Sequence, residues 1–170
     1  MYHVDPDHKE REFLTLDELT AMTEIKLEDP NMAFARDLFI FGCWTGISFI
    51  DIKNLTEDNI SIVNDAPWII SKRQKTGVPF QIKLMDIPML IIERYKSFRK
   101  DNHLFNIGNL DSINKRIKKV AAMCGIKKRV SFHVSRHSWA VLALEYGMPI
   151  ESVSKILGHT NITTTQIYAK

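Results

Sequence analysis

The stretch Asn59–Leu84, NISIVNDAPWIISKRQKTGVPFQIKL, is where the chain changes its pattern. Asn59–Val63, Trp68–Lys72 and Val78–Leu84 are short runs rich in β-branched and aromatic residues. Asn64-Asp65 separates the first two, and Lys75-Thr76-Gly77 the last two. Runs of that length bounded by turn residues predict strands joined by hairpins. The expectation is a small three-stranded antiparallel sheet.

Outside this stretch the chain reads mainly as helices. Upstream, Thr15-Leu-Asp-Glu18 has the form of a capping box and opens a helix carrying Leu16, Leu19 and Met22. Residues 1–12, with Asp5, Pro6, Asp7, His8 and Lys9, read as a polar linker, the end of an interdomain segment. Pro30-Asn31 starts a helix that runs to Trp44, apolar on most faces and therefore central. Thr45-Gly46 ends it, and Ser48–Leu55 reads as a short helix. Downstream, Pro88 suits the first turn of a helix with Leu90, Ile91 and Tyr95 facing inward. Asn109–Met123 is basic and amphipathic, with Gly125 as its stop. Ser131–Tyr146 is a long helix ended by Gly147, and Pro149 opens another that reaches Leu157. Gly158-His159 breaks it, and Thr163–Tyr168 reads as a final short helix. The fold class is α+β, mainly helical.

The 170 residues, 45% hydrophobic and 25% charged, suit one ordinary domain. A chain of this length buries roughly 70% of its unfolded surface and needs no metal or disulfide to hold it. Cys43 and Cys124 lack zinc or redox spacing, which fits a reducing intracellular setting. The longest apolar stretch, Leu38–Ile50, is short and interrupted by Gly42, Thr45, Gly46 and Ser48. Met1-Tyr-His-Val-Asp5 does not read as a signal peptide. Membrane, secreted and disordered classes are excluded on these grounds. The formal charge of +3 hides a division: residues 1–66 carry 5 basic and 14 acidic side chains, and residues 67–170 carry 18 basic and 6 acidic. A surface for a polyanion is therefore expected from the second part.

His133 and Arg136 lie three apart near the start of the long helix and share a face. A helix N-terminus offers free N–H groups and partial positive charge, and an arginine adds a fork shaped for phosphate oxygens. His137 could pair with His133 on a metal, yet the glutamate of a helical metalloprotease motif is missing from His133-Val-Ser-Arg-His137. Taken singly, each remaining candidate has a plain structural explanation. Tyr168 suits helix packing, His159 a helix terminus, and Lys75 a solvated hairpin tip.

The ordered set is another matter. Gln74-Lys75-Thr76-Gly77, then His133-x-x-Arg136-His137-Ser-Trp-Ala, then Leu157-Gly158-His159 with Tyr168 nine residues on, resembles the catalytic domain of the tyrosine recombinases, the phage-integrase family. The resemblance covers nearly the whole chain. Thr45-Gly-Ile-Ser-Phe-Ile-Asp-Ile52 and Leu55-Thr56 match the family's early block, and Phe13–Leu19 its opening, so 13–170 is expected to be the catalytic domain. The resemblance implies that Tyr168 attacks a DNA phosphodiester, leaving a 3′-phosphotyrosyl bond and a free 5′-hydroxyl, without metal, ATP or other cofactor. It assigns Arg136 to a non-bridging oxygen and His133 and His159 to hydrogen bonding or proton handling. Lys75 becomes the acid for the 5′-oxygen, with Lys72 and Arg73 beside it on the DNA. Those roles are what phosphoryl transfer requires: positive charge on the equatorial oxygens, an in-line nucleophile and a proton for the leaving oxygen.

One position departs from the pattern. The family's early block carries an arginine, the second phosphate clamp, where this chain has Ser48; Asp51 holds the place of a buttressing acid. Losing a comparable preorganised donor costs roughly 3–4 kcal/mol, so a substitute is expected. Arg36 lies 12 residues upstream, about 18 Å along a helix; Arg73 and Arg129 are the other candidates. The expected partner is double-stranded DNA, with a tetramer on DNA for the full-length protein and a monomer for this segment. An upstream DNA-clasping domain and a C-terminal tail are expected beyond it. The expected setting is the bacterial cytoplasm at the nucleoid, in integration or excision of a mobile element. Rival readings are a DNA-binding module without catalysis, a type IB topoisomerase-like enzyme, and a metalloenzyme using His133 and His137.

Overall fold

Asp29 caps the helix that organises the molecule: its Oδ1 accepts from the Asn31 N–H at 2.8 Å, and Pro30 takes the first helical position, where a missing N–H costs nothing. In the computed structural model, which describes residues 12–159 and 161–169, this helix is α2 (Pro30–Thr45). Every residue from Ala35 to Cys43 is buried. The helix can be apolar on most faces because α1 (Leu16–Glu24), α4 (Asp86–Arg94), α5 (Leu110–Met123) and α6 (His133–Glu145) pack about it. It stops at Gly46, whose φ of 73° is the left-handed region. A Cβ there would lie 2.6 Å from the Trp139 ring. The short α3 (Phe49–Asn54) follows. All but the last residue of the expected linker at 1–12 falls outside the described residues.

The sheet has the order β1 (Ile60–Val63), β2 (Ala66–Lys72), β3 (Pro79–Lys83), antiparallel throughout. Ile69 pairs with Ile60 on one side and Ile82 on the other. Asn64 and Asp65 have φ of 50° and 62°, the conformation of a two-residue hairpin whose twist suits the strands it joins. That economy lets β2 begin at Ala66, paired with Val63, two residues before the expected start. The chain closes with α7 (Ile150–Leu157) and α8 (Thr163–Gln166), so Tyr168 falls in the turn after the last helix. The expectation for Leu90 is corrected. It is 63% exposed, because Pro88, Ile91 and Ile92 form the buried stripe of α4 and Leu90 lies off it.

Two polar anchors fix the N-terminal elements. The buried Arg36 donates through Nη1 to the carbonyls of Met22 (3.0 Å), Thr23 (3.3 Å) and Ile25 (2.9 Å) at the end of α1, and through Nε to Asp37 at 2.7 Å. Asp37 also accepts from Arg94 Nη1 at 2.9 Å and the Tyr95 hydroxyl at 2.5 Å. Farther out, the Leu14 N–H donates to Ser138 Oγ at 2.9 Å across 124 residues. Lys128 Nζ bonds the Phe13 carbonyl at 2.9 Å and Glu18 at 2.6 Å. The capping box forms as expected, Thr15 N–H to Glu18 at 3.0 Å and Glu18 N–H to Thr15 Oγ1 at 3.2 Å.

Candidate active site

The first turns of α6 face the ends of two other helices. His133 is the first residue of α6 and exposed; Arg136, one turn on, is buried. Arg136 Nη1 donates to the Gly46 carbonyl at 2.8 Å, and Nη2 donates to the Leu157 carbonyl. The guanidinium thus joins the C-terminus of α2 to that of α7, where unpaired carbonyls welcome positive charge. Burial, and secondly the nearby Arg73 cation, pull its pKa down to about 10, against opposing attraction from Tyr168 and Asp51.

Tyr168 reaches the same place from the end of the chain. Its ring is half-buried with its centroid 5.5 Å from that of His137, and His137 in turn meets the His133 ring edge-on at 4.4 Å. The backbone N–H of Tyr168 bonds the Thr165 carbonyl at 3.0 Å. Buried Thr165 also places its Oγ1 2.7 Å from His159 Nδ1. His159 and Tyr168 are therefore held by one threonine, a link that sequence spacing did not reveal. His137, read from sequence only as a metal candidate, is the aromatic contact between α6 and Tyr168. Among the described residues no three His, Cys, Asp or Glu side chains converge as metal ligands.

The second cluster centres on Asp51, buried in α3. Its Oδ2 accepts from the Ser48 hydroxyl at 2.8 Å and its Oδ1 from the Gln74 N–H at 2.9 Å. Ser48 precedes α3 at the cap position but spends its hydroxyl on Asp51 rather than on a helix N–H. Arg73 Nε stands 3.6 Å from Asp51 Oδ2, while its Nη1 donates to the Leu157 carbonyl at 3.0 Å. One carbonyl oxygen thus receives both Arg73 and Arg136. Nothing in the sequence patterns pointed to it, since a backbone acceptor leaves no residue signature.

The remaining candidates are placed as follows. Lys75 is exposed in the β2–β3 turn. The stem of that turn is closed by Arg73 N–H to Val78 at 2.9 Å and Gly77 N–H to Arg73 at 2.7 Å. Lys72 is exposed at the end of β2, and Arg129 is exposed in the connection before α6. Arg36 is elsewhere: its donors hold the end of α1 and Asp37, so its role is to brace the fold. The arrangement concentrates two largely buried guanidiniums and one buried carboxylate beside a tyrosine and three histidines. Such an arrangement has the charge to hold an anion with a hydroxyl nearby.

Residues 12–170 match the profile of the phage integrase family. The tyrosine recombinase XerC of Yersinia pestis is 25% identical over 165 residues, spanning 91% of this chain and 54% of that protein. The tyrosine recombinase XerA of Pyrococcus horikoshii is 30% identical over 143 residues, spanning 78% of this chain and 48% of its own length. The chain thus spans about half the length of the curated relatives it matches. Among solved structures, XerH site-specific recombinase bound to palindromic difH substrate superposes with a TM-score of 0.78 at 18% identity, over 95% of this chain and 50% of that one. The Tn1549 transposon integrase with a circular intermediate DNA gives 0.75 at 18%, over 97% and 63%. At that identity the structural likeness speaks to the fold.

Proposed function

The chain belongs to the phage integrase family, and from that premise we propose that residues 13–170 are the catalytic unit of a site-specific DNA recombinase. Tyr168 attacks the scissile phosphorus, forming the P–O bond of a 3′-phosphotyrosyl linkage while the P–O bond to the 5′-oxygen breaks. The tyrosine proton passes to one of His133 and His159 while the other hydrogen-bonds the phosphate, and Lys75 delivers a proton to the departing 5′-oxygen. Arg136 holds a non-bridging oxygen through the transition state. Attack by a second strand's 5′-hydroxyl reverses these bonds, so strands exchange with no net loss of phosphodiester energy.

The observation that carries this reading is the contact of Tyr168 with His137, which brings the last residues of the chain onto the helix that also bears His133 and Arg136. The concentration of positive charge after residue 66 supports double-stranded DNA as the partner. The names of the relatives and the DNA in the XerH and Tn1549 structures point the same way. The transposon integrase among them favours integration or excision of a mobile element. Among the described residues no helix is long and apolar enough to cross a membrane, and the reading places the protein in the bacterial cytoplasm at the nucleoid. A monomer that assembles into a tetramer on DNA completes it.

The test is covalent trapping on a nicked DNA site, comparing wild type with Tyr168→Phe in the longest form the gene encodes. A denaturation-resistant adduct in wild type only is expected. No adduct from either protein would leave a DNA-binding module without chemistry. Relaxation of supercoils with no strand exchange would make the enzyme topoisomerase-like.

A further inference from the structure

Ser48 is neutral where the transition state needs a second charge, and the structure already holds a second guanidinium at the site. Arg73 is largely buried, 15% exposed in its side chain, and it reaches the same Leu157 oxygen as Arg136. Two nitrogens bonded to one oxygen stand within about 6 Å of each other. The stem of Arg73 runs across Gly158 so closely that a Cβ there would lie 2.4 Å from its Cδ. The slot therefore depends on a residue with no side chain. Asp51 sets the far end, 3.6 Å from Nε, and is itself aimed by the Ser48 hydroxyl and the Gln74 N–H. Among the described residues Arg73 Nε has no hydrogen-bond partner, although it is buried.

The charge balance points to an occupant. Two guanidiniums and one carboxylate leave this cluster with one positive charge in excess, and like charges brought together out of water repel strongly. A phosphodiester carries one negative charge and two non-bridging oxygens, which neutralises the cluster and gives each arginine an acceptor. We propose that Arg73 is the second phosphate-holding arginine, gripping the non-bridging oxygen that Arg136 does not and supplying the charge that Ser48 lacks. The assignment rests on the recombinase reading above. Asp51 is then a positioning residue, and Ser48 acts through it.

A neutral methylphosphonate at the scissile position separates a clamp from a brace. On ordinary nicked DNA, Arg73→Gln is expected to slow adduct formation roughly 100–1000-fold. On the methylphosphonate diastereomer whose methyl replaces the oxygen held by Arg73, wild type and variant should cleave within a few-fold of each other. Equal loss on phosphate and on both diastereomers would make Arg73 a structural brace and overturn the proposal, as would a loss below about 5-fold on phosphate. Arg73→Lys keeps the stem and the charge without the fork, and is compared in the same way should Arg73→Gln melt early. It should cleave phosphate more slowly than wild type and lose that deficit on the same diastereomer. Wild-type protein that forms no adduct on phosphate would instead overturn the recombinase reading itself.

Discussion

Gly46 is the residue at which backbone geometry, core packing and the site meet, and replacing it by alanine measures all three. Its φ of 73° costs an alanine about 1–2 kcal/mol. A Cβ at Gly46 would also stand 2.6 Å from both Cδ2 and Cε3 of Trp139. That ring is buried and flat, and has no flexible end to swing aside. Overpacking of this kind costs about 1–3 kcal/mol more, for a total of roughly 2–5 kcal/mol. Gly125→Ala supplies the control, because Gly125 has the same φ of 73° and nothing within 4 Å of its Cβ position. Urea unfolding of the three proteins should therefore place Gly125→Ala about 1–2 kcal/mol below wild type and Gly46→Ala a further 1–3 kcal/mol lower. In a domain of this size each kcal/mol lowers Tm by about 2–4 °C. Adduct formation should fall in Gly46→Ala beyond the unfolded fraction, because any shift that relieves the ring moves the carbonyl that holds Arg136. Equal destabilisation by the two alanines would refute the argument from the Trp139 contact.

Two further tests address single side chains. Arg136→Lys keeps a charge but cannot serve the Gly46 and Leu157 carbonyls and a phosphate oxygen together, so cleavage should drop roughly 100-fold or more, beyond what a loss of about 1–3 kcal/mol of stability from an unpaired buried carbonyl explains; near-normal cleavage would remove Arg136 from its assigned role. Burial raises the pKa of Glu18, but Lys128 and the Thr15 N–H outweigh it and hold the carboxyl below its ordinary value. The stability it adds is complete above the unfolded pKa and is lost as pH falls through the lower folded one. Glu18→Gln keeps the capping box but loses the Lys128 ion pair, so it should cost about 0.2–1 kcal/mol at pH 7 and next to nothing near pH 2 in urea melts. A difference that persists at pH 2 would contradict this account.

The helices and the sheet were legible because their signals are local. Thr15 and Glu18, Asn64 and Asp65, and Pro30 each act on neighbours a few residues away, and the structure uses them as written. Leu90 departs from expectation because the unbroken apolar run Ile87–Ile92 in α4 leaves the phase of the stripe undecided until its packing partners are known. Within the site, the side chains with charge or a hydroxyl stood out, whereas their anchors did not. The Leu157 carbonyl, the grip of Thr165 on His159, and Asp51 reaching the Gln74 N–H arise where separate elements meet. Arg36 shows the converse. Its 12-residue separation from Ser48 along a helix already argued against it, and the structure commits it to the end of α1 by hydrogen bonds to backbone.

The bond from Leu14 to Ser138, with Lys128 reaching Phe13 and Glu18, bears on how the chain is born. A ribosome adding roughly 5–20 residues per second needs about 6–25 s to make the 124 residues between Leu14 and its partner. Throughout that interval α1 can form its capped turn, but the surface that will cover Leu19 and Met22 is incomplete. Closing so long a loop also slows the final docking once synthesis ends. The C-terminal end of α1 can meet Arg36 as soon as α2 is made, whereas the Leu14 end stays undocked for seconds until Ser138 emerges.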